Sequence, residues 1–221
     1  MIKRRTRNYV TKLLKENPEW RVLDLGGGKD PFSMAHVVLD IEDYSNFFKN
    51  KTFVQGDALN TPFEDQEFDF VICTHVIEHV VNPSLLCKEL ERIAPRGYVE
   101  FPTPLFDNLV VGNDNALPHG HIWWVRVDDD NERLSLKPKA RILRPVLRPE
   151  EITPMMPYFY SEMQVGVVWE NKIPFEIEDP TFTWDSGNST GVVSQDLTNR
   201  VILTTSKCGR FVDYPLIKGK K

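Results

Sequence analysis

Val22-Leu23-Asp24-Leu25-Gly26-Gly27-Gly28 decides how this chain is read. A short apolar run, broken by one carboxylate, ends in three consecutive glycines. A run of that length bounded by glycine reads as a buried strand. Lacking Cβ atoms, the glycines let the backbone turn sharply and come close to a ligand. The N–H groups of Gly26 to Gly28 are then expected to face a negatively charged group, as at many strand-to-turn junctions.

Working outward, similar runs recur. Val37-Val38-Leu39-Asp40-Ile41 reads as a second strand, Thr52–Gln55 before Gly56-Asp57 as a third, and Phe68 to Cys73 as a fourth covered on both faces. Gly97–Phe101 is a fifth, stopped by Pro102-Thr103-Pro104. Helical spacing of Val10, Leu13 and Leu14 predicts a helix over 7–16, ended by Asn17-Pro18. Asn82-Pro83 opens another helix, with Leu85, Leu86, Leu90 and Ile93 as its expected buried stripe. Strand, connection and strand in this alternation imply an α/β fold around a mainly parallel, doubly wound sheet. Ligands of such sheets bind beyond the carboxyl ends of the strands. Asp40, Asp57, His75 and Glu100 all fall there and are expected on one rim.

One connection is short. Only Lys29 to Ala35 separate the glycines from the second strand, leaving room for one helical turn at most, with Asp30 as cap and Pro31 first. Parallel neighbours normally need a dozen or more residues to cross over. From Leu105 the pattern turns β-rich. Trp123–Val127 with Arg133–Leu136 reads as a hairpin, Met163–Trp169 with Ile173–Glu178 as a second, and Val201–Thr205 as a late strand.

Composition bounds the function. At 221 residues, 41% hydrophobic and net charge −5, the chain suits one α/β domain with a C-terminal elaboration and disfavours a nucleic-acid partner. The basic start (Lys3, Arg4, Arg5, Arg7, Lys12, Lys15) reads as the solvated face of a first helix. Three cysteines, Cys73, Cys87 and Cys208, form no CxxC pair, which fits a reducing compartment. With no signal peptide and no apolar 18-residue run, a cytoplasmic protein without membrane contact is expected.

Two ligands suit the glycine turn, a dinucleotide or S-adenosylmethionine. A dinucleotide fingerprint wants a third glycine for helix packing, and here that position is Pro31. The pieces VLDLGGG, HVVLDIED, FVQGDALNTPFEDQEFDFVIC, THVIEHVVNP and RGYVEFPTP, in this order over residues 20 to 104, resemble the class I S-adenosylmethionine-dependent methyltransferases of the type 11 group. The resemblance implies a Rossmann-like sheet of class I methyltransferase type with a β-rich C-terminal elaboration. It divides the chain into a cofactor-binding core, 1–104, and a part, 105–221, that completes the sheet and covers the acceptor site within one compact domain. It implies S-adenosylmethionine as cofactor. Gly26 and Gly28 would lie against its methionine part and Asp24 would hold its amino group. Asp40 would accept both ribose hydroxyls, and Asp57 would accept from the adenine amino group, with the Ala58 N–H near a ring nitrogen. His75 would sit near the methyl group. A shortened first crossover is the departure from the family pattern.

Methyl transfer needs alignment and a dry site, and a base only when the acceptor must lose a proton. His119 and His121, in PHGHIWW after the fifth strand, are the candidate bases. Trp123 and Trp124 read as core. His75 and His79 would share a helix face if THVIEHV were helical. With no further ligand nearby in sequence, no metal site is expected, and Glu78 is taken to orient its neighbours. Asp128-Asp129-Asp130 with Asn131 reads as a polar hairpin turn. The expected function is methyl transfer to a small-molecule or glycan-linked acceptor. The alternatives are a non-catalytic module binding the cofactor or its product, a nicotinamide-dependent oxidoreductase or epimerase, and an RNA methyltransferase. Oligomeric state is left open.

Overall fold

The computed structural model describes residues 1–110, 120–139 and 148–178. Buried along its whole length, Val22–Leu25 forms strand β2 in the interior of a seven-stranded sheet. On one side it pairs in parallel with β3 (Val37–Asp40), which pairs with β4 (Thr52–Gln55). On the other side it pairs in parallel with β5 (Phe70–Thr74), which pairs with β6 (Arg96–Pro102). The direction in which successive strands are added therefore reverses at β2. That reversal opens a crevice at the carboxyl ends of β2 and its neighbours. Beyond β6 lies β9 (Gln164–Glu170), antiparallel, and at the edge β1 (Ile2–Arg4), antiparallel to β9.

The period-2 alternation of the strands sends side chains to two cores. Val22, Phe70, Ile72 and Tyr98 pack with Val10 and Leu14 of helix α1 (Arg7–Glu16). Leu23, Leu25, Val71, Cys73 and Val99 pack with Leu86, Leu90 and Ile93 of α2 (Pro83–Ile93). The Asn82 side chain caps α2 by accepting the Leu85 N–H at 3.0 Å. Leu85 itself departs from the expected stripe: it is 43% exposed, and Cys87 takes the buried place on the helix.

Three further expectations are corrected. The start of the chain is not all helix face: Ile2–Arg4 is an edge strand, Arg4 is tied to Asp129, and Arg7 is tied to Glu100. The Lys29–Ala35 crossover contains no helical turn. Backbone turns replace it, held by Asp24 Oδ2 accepting the Phe32 N–H at 2.6 Å and by the Lys51 ammonium donating to the Phe32, Ser33 and Ala35 carbonyls. With its carbonyls satisfied by a lysine, the short link can cross without a helix. Finally, Met163–Trp169 and Ile173–Glu178 do not pair as a hairpin. After the turn at Glu170–Lys172 the chain leaves the main sheet, and β10 (Phe175–Ile177) runs parallel to β8 (Arg133–Pro138) in a second sheet of order β10-β8-β7. The first hairpin forms as expected, β7 (Trp123–Asp128) against β8, with the Asp128 carboxylate accepting from Asn131 and Arg133 in the turn. Val201–Thr205 lies outside the described residues.

Candidate active site

Parallel pairing sets the ends of β2, β3, β4 and β5 side by side, and with them Asp24, the glycine turn, Asp40, Asp57 and His75. Gly26 and Gly28 have φ of +77° and +58°, a region that L side chains rarely enter. A Cβ at Gly26 would also lie 2.3 Å from the Val76 side chain, so the loop after β5 packs directly on the turn.

The turn amides are more occupied than a bare anion cradle requires. Gly26 N–H donates to the Leu39 carbonyl at 2.7 Å, and Gly28 N–H donates to Asp40 Oδ2 at 2.9 Å. Asp40 Oδ1 accepts the Glu42 N–H at 3.1 Å. Of the amides expected to face a negatively charged group, that of Gly28 meets the Asp40 carboxylate of the protein itself and that of Gly26 meets a strand carbonyl. Asp57 accepts the Leu59 N–H at 2.8 Å, which with the Asn60-to-Asp57 backbone bond fixes a tight turn around Ala58.

His75 follows β5 with φ +57°, so THVIEHV opens as a turn and not as a helix. Its ring lies between two fully buried carboxylates, Nδ1 3.3 Å from Glu78 and Nε2 3.5 Å from Glu100. Burial works against charging this ring, yet the attraction of the Glu100 and Glu78 carboxylates outweighs it and raises its pKa to about 9. Glu100 is further held by Arg7 Nε at 2.8 Å, by the Tyr160 hydroxyl at 2.8 Å and by the Tyr98 hydroxyl at 2.5 Å. Despite burial, these donors keep its carboxyl at about 2.

A second cluster forms where the chain after α3 (Pro104–Leu109) returns to the sheet. The Glu78 carbonyl accepts the Ile122 and Trp123 amides, and Trp123 Nε1 donates to the Val80 carbonyl at 2.8 Å. This seam brings His121 over the β5 loop. Its Nδ1 is hydrogen-bonded to Asp107 of α3, a carboxylate only 3% exposed, and Lys139 Nζ lies 3.7 Å from the other Asp107 oxygen. The His121 and His79 rings meet edge to face with centroids 4.5 Å apart. Burial holds His79 neutral, its pKa lowered to about 3 against the pull of Glu78. Trp123 and Trp124 are buried core residues, as their sequence suggests. His119 lies outside the described residues. Sequence reasoning gave Glu78 a minor part, placed Glu100 on the rim without its pairing to Arg7, and passed over Asp107. Nothing in a run such as PLFDNL marks one aspartate as buried.

Residues 33–101 match the family model described as a methyltransferase domain. Over that segment, which is the middle of the parallel sheet, the chain is similar to the methyltransferase domain family. The match begins at Ser33, past the glycine turn and inside the short crossover. Among solved structures, the chain is similar to a putative methyltransferase from Bacillus halodurans, 25% identical over 38% of this chain and 45% of that one, with a TM-score of 0.33. It is also similar to the YcgJ protein from Bacillus subtilis, 22% identical over 48% and 53%, TM-score 0.37. A third is a methyltransferase from Thermotoga maritima described as a possible histamine N-methyltransferase, 16% identical over 75% and 89%, TM-score 0.42. The chain spans about half the length of the first two. No curated protein matches it. Among the described residues no helix is long and apolar enough to cross a membrane.

Proposed function

We propose that this chain transfers a methyl group from S-adenosylmethionine to an oxygen or nitrogen of a small-molecule or glycan-linked acceptor. The observation that carries the reading is the row of acids at the ends of adjacent parallel strands, Asp24, Asp40 and Asp57, beside a turn with two glycines in the left-handed region. A carboxylate offers about four acceptor sites. The amide bonds at Asp40 and Asp57 are therefore compatible with a ribose diol at the first and an adenine amino group at the second. The residues fit the cofactor on that chemistry. Asp24, which braces the crossover through Phe32, and His75 after β5 would border its methionine part, and Gly26, Gly28 and Ala58 would line its path.

When bound, the cofactor supplies a sulfonium methyl that the acceptor atom attacks in line as the carbon–sulfur bond breaks. The protein's work is alignment and exclusion of water. His121 is the acceptor-side group in this reading, because Asp107 fixes its ring and its Nε2 is directed toward Glu78 at 4.0 Å. His119 is proposed with it from sequence alone. The acidic balance of the chain supports a non-nucleic-acid acceptor.

Titration calorimetry of the purified protein with S-adenosylmethionine, S-adenosylhomocysteine, NAD and NADP tests the reading. Micromolar binding of the first two alone is expected. Binding of the nicotinamide cofactors instead would overturn it. Tight binding without turnover across acceptor panels would favour a non-catalytic module, which the short crossover keeps as the second reading.

A further inference from the structure

The turn after β5 and the segment before β7 bring together three side chains able to bind a metal ion. Glu78, His79 and His121 each offer one ligand atom, and these lie within 4.8 Å of one another. Glu78 Oε1 is 3.9 Å from His79 Nε2 and 4.0 Å from His121 Nε2. Bonds of about 2.0–2.2 Å in a tetrahedral shell would set such atoms about 3.4 Å apart. The cluster is thus somewhat open, by an amount that small side-chain rotations close.

Two independent features point to a cation. Glu78 is 0% exposed, and neither of its oxygens has a hydrogen-bond partner among the described residues. A buried carboxylate left this way is costly unless a cation compensates it. The nearest side-chain nitrogen is His75 Nδ1 at 3.3 Å, which attracts Glu78 without hydrogen-bond geometry; its ring is shared with Glu100, so one ring faces two buried carboxylates. Asp107 meanwhile bonds His121 Nδ1, the arrangement by which a carboxylate fixes a metal-binding imidazole and points its other nitrogen at the ion. Both histidine side chains keep some exposure, 17% and 12%, so an ion has a way in.

We propose that Glu78, His79 and His121 bind one divalent transition-metal ion of the zinc or iron(II) class, with Asp107 as the positioning residue for His121. Two imidazoles and one carboxylate select such ions over magnesium or calcium. Three protein ligands leave coordination positions for a further group. The use of the ion rests on the methyl-transfer reading. There it binds the acceptor heteroatom and eases loss of its proton to water, and the heteroatom then takes the methyl as the electron pair of the breaking bond stays on sulfur. The sequence alone suggested His75 and His79 as a pair and argued against a site for want of a third ligand. The fold supplies that ligand from 42 residues further on, His121, and seats His75 between Glu78 and Glu100.

The test is titration of the full chain, stripped with chelator, with cobalt(II) and zinc(II), with magnesium as control. Stoichiometric binding is expected, with a cobalt absorption band of low-coordinate type and no competition from magnesium. His79→Gln and Glu78→Gln should abolish the band, and Asp107→Asn should weaken zinc affinity about 10- to 100-fold. Circular dichroism checks that each variant is folded. Should the variants not fold, cobalt-shifted ring protons of His79 and His121 in the wild-type chain identify the ligands. Absence of stoichiometric binding, equal binding of magnesium, or shifts confined to other histidines would overturn the proposal. S-adenosylmethionine binding is read separately, so loss of the metal site and loss of the cofactor reading are distinguishable.

Discussion

Asp40 accepts the Gly28 amide at 2.9 Å, so the acid that ends β3 and the last glycine of the turn after β2 are one unit. The same carboxylate that would hold a ribose also holds the loop against which the cofactor would lie. Asp40→Ala should therefore act twice. With charged hydrogen bonds worth about 1.5–3 kcal/mol each, cofactor binding should fall roughly ten- to a hundredfold. The melting temperature should drop as well. Asp57→Ala removes a carboxylate that among the described residues braces a local turn, and should weaken binding by a similar factor with little change in melting. Calorimetry and thermal melts on both variants check this, and normal binding by both would move the site elsewhere. Gly26→Val is a poorer probe, since its branched side chain would collide with Val76 in the protein itself.

Glu100 gives the stability of the fold an acid limb. Its carboxyl, ordinarily near 4.5, is held at about 2 by donors from His75, Arg7 and Tyr98 that overcome burial. A depressed folded pKa stabilises above the unfolded value and is lost as pH falls through the folded one. Stability should thus decline between about pH 5 and pH 2, by on the order of 3 kcal/mol. His75 carries the opposite sign: raised to about 9, its contribution is complete below about pH 6.5 and lost as pH rises to 9. Urea melts of the wild type should peak between these limits. Glu100→Gln should flatten both limbs, and an unchanged pH profile would show that the pair is not coupled to folding.

The sequence made the parallel half of the fold legible because β2, β3 and β5 carry runs of buried, mostly apolar residues that a sheet covered on both faces explains. It hid β1, whose three residues include two charges and whose partner, β9, lies more than 160 residues away. Alternation in β9 and β10 was visible, but alternation does not say which sheet a strand joins. That Asp40 and Asp57 stand side by side was legible from their places at the ends of strands. Asp107 and Glu78 were not, because their importance lies in burial without local partners, which tertiary contacts alone create.

Lys51 should matter to the crossover. Its ammonium donates to carbonyls of Phe32, Ser33 and Ala35, doing for this link what a helix does elsewhere. Lys51→Met keeps the stem and removes the donors. Because the group is partly exposed, a loss of only about 1–2 kcal/mol is expected. The clearer readout is local: amide exchange across residues 29 to 36 should quicken while β5 and β6 stay protected. Uniform quickening would mean that the lysine supports the whole sheet and not this link.

Gly97 and Gly56 make opposite predictions for the same substitution. A Cβ at Gly97 would stand 2.3 Å from the Val71 carbonyl and 2.9 Å from Trp169 Nε1, between β5 and β9. Backbone in a central strand has nowhere to move, so Gly97→Ala should cost more than about 3 kcal/mol or prevent folding. At Gly56 the first atom met is Leu39 Cδ1, 3.1 Å away at the end of a flexible side chain. A small rotation of Leu39 relieves that contact. The lost freedom of the unfolded chain then works in favour of alanine, so Gly56→Ala should change stability by less than about 1 kcal/mol. Urea midpoints of the two variants decide the point. Equal losses would mean that β6 does not pack against Trp169 as described.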